Sequence, residues 1–151
     1  MRRSEREITD RTEIEEIIRK ASICRLALSD NGTPYIVPVC FGYENDTLYF
    51  HSATEGRKLD ILKRNNRVCF EMDIETKLAM AQKGCTCGMK YRSVIGFGTA
   101  SVVEDQAGKQ KGLDAIMRQY SGPEGDYSQE ALNRTTVIKV EIESLTGKQA
   151  L

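Results

Sequence analysis

Apolar side chains recur at every second residue through several stretches of this chain, and that period of two constrains its fold more than any other feature. Cys24, Leu26 and Leu28 alternate with Arg25, Ala27 and Ser29; the alternation returns in Arg67-Val-Cys-Phe-Glu-Met-Asp73 and in Thr135-Thr-Val-Ile-Lys-Val-Glu-Ile-Glu143. Pro34 to Tyr43 and Thr47 to Ala53 are rich in strand formers, and Met89 to Val103 is a long β-like stretch interrupted by Gly96 and Gly98. Those two glycines predict a bend or a close backbone approach, and Pro38 must lie at an edge, a bulge or a ligand face where no ladder bond is needed.

Turn chemistry separates the strands. Asp30-Asn31-Gly32 tolerates positive φ and predicts a hairpin, and Glu44-Asn45-Asp46 predicts a second one. Period 3.6 replaces period two in three places. Asp10-Arg-Thr-Glu13 has capping-box spacing before Ile14, Ile17 and Ile18, predicting a helix that ends near Lys20. Gly56 to Lys63 carries Leu59, Ile61 and Leu62, with Asn65-Asn66 as its stop; Leu113, Ile116, Met117 and Tyr120 mark a third helix, stopped by Ser121-Gly-Pro-Glu-Gly125. Six mostly antiparallel strands with few helices predict a mainly β fold with peripheral α, a closed or partly open barrel rather than a parallel α/β sheet. No repeat, low-complexity tract or linker divides the 151 residues, so one domain over 1–151 is expected.

Composition narrows the function classes. With 22 basic and 22 acidic residues the chain lacks the positive excess that drives binding to a polyphosphate backbone, so no nucleic-acid partner is expected. Met1-Arg2-Arg3-Ser4-Glu5-Arg6 is charged with no apolar run behind it, and no stretch is long enough to span a bilayer, which predicts a soluble, unexported protein with no membrane partner. An odd set of five cysteines, Cys24, Cys40, Cys69, Cys85 and Cys87, does not form a secreted disulfide framework and suits a reducing cytoplasm.

The densest chemistry lies in Phe50-His-Ser-Ala-Thr-Glu-Gly-Arg-Lys-Leu-Asp60, where a strand end leads through hydroxyls and a glycine into a helix carrying two cations. Helix N-termini offer unpaired amide donors and partial positive charge; with Ser52, Thr54, Arg57 and Lys58 nearby, the segment suits a phosphate. The alternative is that Thr54 merely caps the helix while Arg57 and Lys58 form a solvated face, and the residues alone leave both open. His51, the only histidine, can exchange a proton near neutral pH or serve a purely structural role. Lys90-Tyr-Arg-Ser-Val-Ile-Gly-Phe-Gly98 reads either as a strand open to a planar ligand or partner backbone, or as a bent core strand with Arg92 exposed. Cys85-Thr-Cys87 is spaced more tightly than ordinary zinc pairs, and no metal site is expected.

Four segments taken in order, Val37-Pro-Val-Cys-Phe-Gly-Tyr43, Leu48-Tyr-Phe-His-Ser-Ala53 with Gly56-Arg-Lys58, Tyr91-Arg-Ser-Val-Ile-Gly-Phe-Gly98 and Thr146-Gly-Lys148, resemble the nitroimidazole-resistance (Nim-type) branch of the pyridoxamine-phosphate-oxidase-like flavoproteins. The resemblance implies a split β-barrel that binds FMN, works as a homodimer and lays each flavin at the subunit interface. By that likeness Val37, Pro38, Val39 and Cys40 run along the ring system, and His51, Ser52 and Ala53 line it from the next strand. Lys58, with Arg57, holds the phosphate, Leu59 is a further cofactor contact, and Arg92, Ser93 and Val94 complete the pocket. Thr146 to Lys148 reach it from the partner. It further implies an FMN-dependent oxidoreductase that takes electrons from a reductant such as NAD(P)H to a nitroaromatic or similar small oxidant, with His51 as catalytic proton donor. A flavin storage or sensor protein, or a barrel holding haem or a deazaflavin, are the competing readings. One departure stands out: the tryptophan expected near the Cys85 to Met89 loop is absent, and Thr86 and Gly88 flank Cys87 instead.

Overall fold

The computed structural model describes residues 3–151; Met1 and Arg2, the start of the charged N-terminal stretch, lie outside the described residues. Eight strands form one antiparallel sheet, not the six expected. In chain order the elements are β1 (Glu7–Ile8), α1 (Arg11–Lys20), β2 (Cys24–Asp30), β3 (Thr33–Val39), β4 (Gly42–Glu44), β5 (Thr47–Ser52), α2 (Arg57–Arg64), β6 (Arg67–Ala79), β7 (Gly88–Val102), α3 (Gln106–Gln119), α4 (Gln129–Arg134) and β8 (Thr136–Ala150). The two extra strands have simple causes. β1 is two residues long, too short to display a period, and the stretch from Pro34 to Tyr43 is broken at Cys40 and Phe41 into β3 and β4.

That break closes the barrel. The sheet order is β3-β2-β6-β7-β8-β5-β4, with β1 on β8, so β3 and β4 stand at opposite ends of the path. Yet only Cys40 and Phe41 separate them in the chain, which holds Val39 and Gly42 within about 11 Å at Cα. The sheet must therefore curl until its ends meet, leaving a split between β3 and the β4–β5 pair. Pro38 sits on β3, an edge strand, where its missing N–H costs no ladder bond.

Both predicted hairpins form as two-residue turns with positive φ at each position: Asn31 and Gly32 at 50° and 86°, Asn45 and Asp46 at 48° and 58°. That is the twist-compatible type I′ pattern. Asp10 caps α1 by accepting the Thr12 N–H at 2.7 Å. The reciprocal half of the capping box is absent, because the Glu13 carboxylate turns instead to Arg92. α4, six residues long with Ser128 as its cap, escaped the sequence reading through brevity.

Inward-facing residues of the strands, among them Leu26, Phe50, Phe70, Val94, Ile138 and Val140, pack with Ile17 and Ile18 of α1 and Ile61 of α2 into the main core. Gly96 and Gly98 serve that packing. A Cβ at Gly96 would stand 2.1 Å from the Phe70 ring, and β7 shifts register against β8 between Phe97 and Gly98. α3 covers the outside of β4, β5 and β8: Ala115 and Ile116 pack on Tyr49 and Val137, residues of the outward face. Among the described residues no helix covers the outside of β3, β2, β6 and β7. There Ile36, Phe97 and Ile95 are 62%, 49% and 44% exposed. Ile36 pairs with Ala27, Ala27 with Cys69 and Cys69 with Phe97, so a continuous apolar stripe crosses that wall.

Candidate functional site

The corner between β5 and α2 takes its shape from Gly56, whose φ of 140° and ψ of 164° belong to a region that glycine alone enters readily. No side chain caps α2. Thr54 is not its cap, so the amides of the first turn keep their hydrogen-bonding capacity. Lys58 is half-buried there; its pKa is lowered by burial, and among the described residues no carboxylate lies within 4.0 Å of it. A cation losing hydration without a counter-ion is a position that an anion stabilises. Arg57 is committed differently, its guanidinium stacked 4.6 Å from the centre of the Tyr35 ring on β3. Leu59 is buried and anchors the helix to the core.

The structure gathers most of the expected residues around this corner. The β4–β5 register ends at Gly42 opposite Tyr49, two residues after Cys40 in the chain and two before His51. His51 and Ala53 are exposed and Ser52 half-buried. Along β3, Val37 and Val39 turn toward the core while Pro38 and Cys40 are exposed. A groove of about 370 Å³ continues from the corner, lined by Thr54, Leu59, Leu62, Ala100, Val102 and Thr136. That volume is in the range of pockets that bury small organic ligands.

Arg92, Ser93 and Val94 are not brought to this corner within one chain. They lie on β7 opposite Gln149, Lys148 and Gly147 of β8, whereas His51 stands opposite Val137, ten or more residues back along that same strand. Val94 is fully buried in the core. Arg92 is not exposed as the sequence alternative had it: its side chain is 12% exposed, with Glu13 at 3.4 Å, Glu16 at 3.5 Å and Glu75 at 3.9 Å. Ser93 faces outward opposite Lys148 of β8, and Thr146 stands opposite Ile95, so both polar groups adjoin the bare apolar wall.

Two tyrosines were not singled out from the sequence. Tyr35 supports Arg57. Tyr120, at the end of α3, receives the Phe41 N–H at 3.2 Å and donates to the Ser22 carbonyl at 2.9 Å, pinning the β3–β4 junction beside the site. Burial, ahead of its other contacts, pushes the Tyr120 hydroxyl up to about 12. The only signal was an aromatic residue just before Ser121-Gly-Pro, which reads equally as core. Among the described residues no group of three or more metal-ligating side chains is present, and no helix is long and apolar enough to cross a membrane.

The sequence profile described as pyridoxamine 5'-phosphate oxidase matches residues 10–149, nearly the whole barrel. The chain belongs to that family. It is 40% identical to a candidate 5-nitroimidazole antibiotic resistance protein from Bacteroides thetaiotaomicron over 95% of this chain and 86% of that one, with a TM-score of 0.85. The Nim-type resemblance therefore holds. Two more distant structures share the family fold: a FAD and haem binding protein from Mycobacterium smegmatis, 21% identical over 96% and 73% of the two chains with a TM-score of 0.86, and a flavocytochrome from Azotobacter vinelandii, 20% identical over 100% and 72% with a TM-score of 0.84. Among curated protein sequences none is significantly similar.

Proposed function

We propose that this family member binds FMN in a cleft shared by two copies of the chain and is a cytoplasmic oxidoreductase that reduces a nitroaromatic or similar small oxidant at the expense of a donor such as NAD(P)H. The observation that carries the reading is Lys58: a half-buried cation without a carboxylate partner among the described residues, beside an uncapped helix N-terminus at the mouth of a split barrel. Flavin and phosphate chemistry meet those needs together. The α2 amides and Lys58 would hold the phosphate, and Val37 to Cys40 with His51, Ser52 and Ala53 would line the ring system. Bound flavin supplies the electron-transfer chemistry.

The protein's own residues then bind and position. Lys58 neutralises the anionic tail, Arg57 on Tyr35 holds the corner against β3, and His51, exposed beside the ring, delivers the proton that substrate reduction consumes. The bare wall supports the two-chain arrangement, since a second copy would cover Ile36, Ile95 and Phe97 and carry its outward Ser93 and Lys148 toward this corner. The 40%-identical relative concerned with 5-nitroimidazole resistance supports the substrate class.

The spectrum of the purified protein, with identification of the released chromophore, tests this reading. A flavin spectrum, stoichiometric FMN and NAD(P)H-driven loss of nitroimidazole absorbance are expected; a protein that neither carries nor takes up flavin would sink it. A second reading, haem with His51 as axial ligand, is favoured by haem in two of the structural neighbours and has its own visible spectrum. Flavin without turnover of any nitroaromatic would point to storage or sensing.

A further inference from the structure

The β6–β7 connection carries two thiols that the flavin reading leaves unused. A 3₁₀ turn, Gly84–Thr86, is held by the Thr86 N–H on the Lys83 carbonyl at 2.9 Å and the Cys87 N–H on the Gly84 carbonyl at 3.2 Å. Residues two apart in such a turn stand about 5 Å apart at Cα. Disulfides bridge Cα separations of roughly 4.4–6.8 Å, so the Cα spacing of Cys85 and Cys87 is within disulfide reach, with a turn of the short loop needed to aim the two sulfurs at one another. Both line one cavity of about 520 Å³. Cys87 is half-buried, with its sulfur receiving the Ala81 N–H at 3.3 Å, whereas Cys85 is exposed.

The surroundings select the partner. Arg3, Arg6 and Lys90 line the same cavity, and among the described residues no acidic side chain does so. Such a lining attracts a negatively charged disulfide compound. The remaining cysteines are differently placed. Cys24 is buried, its thiol pushed far up by burial; Cys69 is raised by burial within the bare wall; Cys40 stands alone at the split.

We infer that Cys85 and Cys87 form a reversible dithiol–disulfide pair that exchanges with small anionic disulfides. The Cys85 thiolate attacks one sulfur of the small disulfide, forming a mixed disulfide and expelling one thiolate. The Cys87 thiolate then attacks the Cys85 sulfur, closing the Cys85–Cys87 bond and expelling the second thiolate. Two electrons pass from the protein to the small disulfide, which leaves as two thiols that take up the two protons the cysteines lost. The exchange does not depend on flavin, so it stands or falls apart from the proposed function.

The test incubates reduced full-length protein with glutathione disulfide, quenches with an alkylating agent and maps the peptides by mass spectrometry. The wild type is expected to yield an intramolecular Cys85–Cys87 disulfide. Cys87→Ser is expected to hold one glutathione on Cys85, and Cys85→Ser to react at least about tenfold more slowly. The Arg6→Gln, Lys90→Gln double variant should slow exchange with glutathione disulfide by about tenfold, leaving exchange with uncharged hydroxyethyl disulfide within about twofold. Circular dichroism confirms that each variant is folded. Independent alkylation of both thiols in the treated wild type, a disulfide linking two chains, or equal slowing with both reagents in the charge variant would each overturn the inference.

Discussion

The barrel has two outer walls, and only one has a cover. On β4, β5 and β8 the outward residues Tyr49 and Val137 are buried beneath Ala115 and Ile116 of α3, and the approach is so close that a Cβ on Gly42 would meet the Ala115 carbonyl carbon at 2.3 Å. On β3, β2, β6 and β7 the outward residues Ile36, Ile95 and Phe97 are as apolar, yet among the described residues no helix is laid over them and they remain exposed. Each wall is built from the same period-two strands. The covered wall completes the folded chain, whereas the bare one leaves an apolar surface of the kind that a partner would cover.

Substitutions should separate the two walls. The largest effect is expected at His51, which pairs with Val137 on the covered side but is itself exposed. His51→Ala should retain flavin and melting temperature while slowing nitroaromatic reduction by about two to four orders of magnitude. Unchanged single-turnover rates would leave His51 without a catalytic role. Next comes Ile116→Ala, which opens a cavity under α3; chemical denaturation should show a loss of about 2–5 kcal/mol. Phe97→Asp, on the bare wall, should leave folding stability nearly unchanged. It should weaken self-association about 30-fold or more, as loss of a central aromatic contact does, and analytical ultracentrifugation reads the shift.

Smaller effects sharpen the comparison at the site. Lys58→Ala should weaken FMN binding by about 10- to 100-fold, the loss of a charge-assisted bond, with little change in stability. Burial lowers the Lys58 pKa, so its ammonium is discharged at lower pH than an exposed lysine. FMN affinity should therefore fall as pH rises through that range in the wild type, and titrations of Lys58→Ala should lack this component. Arg92→Ala, which removes ion pairs to partly exposed carboxylates of α1, should cost about 1 kcal/mol of stability and change FMN affinity less than threefold. A flavin loss matching that of Lys58→Ala would put the Arg92 guanidinium in the site.

Much of this was legible from residue order. The hairpins at Asn31-Gly32 and Asn45-Asp46, the α1 face of Ile14, Ile17 and Ile18, and the helix that starts after Gly56 follow from local chemistry that the structure repeats. The break at Cys40 and Phe41 was not legible, because it serves closure of the sheet, a property of the whole chain. The alternatives for Gly96 were likewise undecidable until Phe70 was seen to fill the space. The exposed alternative for Arg92 could not be dismissed from the sequence, because the carboxylates that cover it, Glu13 and Glu16, are nearly eighty residues away on α1.

Sedimentation velocity of the purified protein, followed at the flavin wavelength and at 280 nm together, tests the shared cleft most directly. Flavin absorbance should travel wholly with a dimer at one flavin per chain and fall away as dilution or Phe97→Asp yields monomers. Flavin that sediments with a monomer at full stoichiometry would contradict the account.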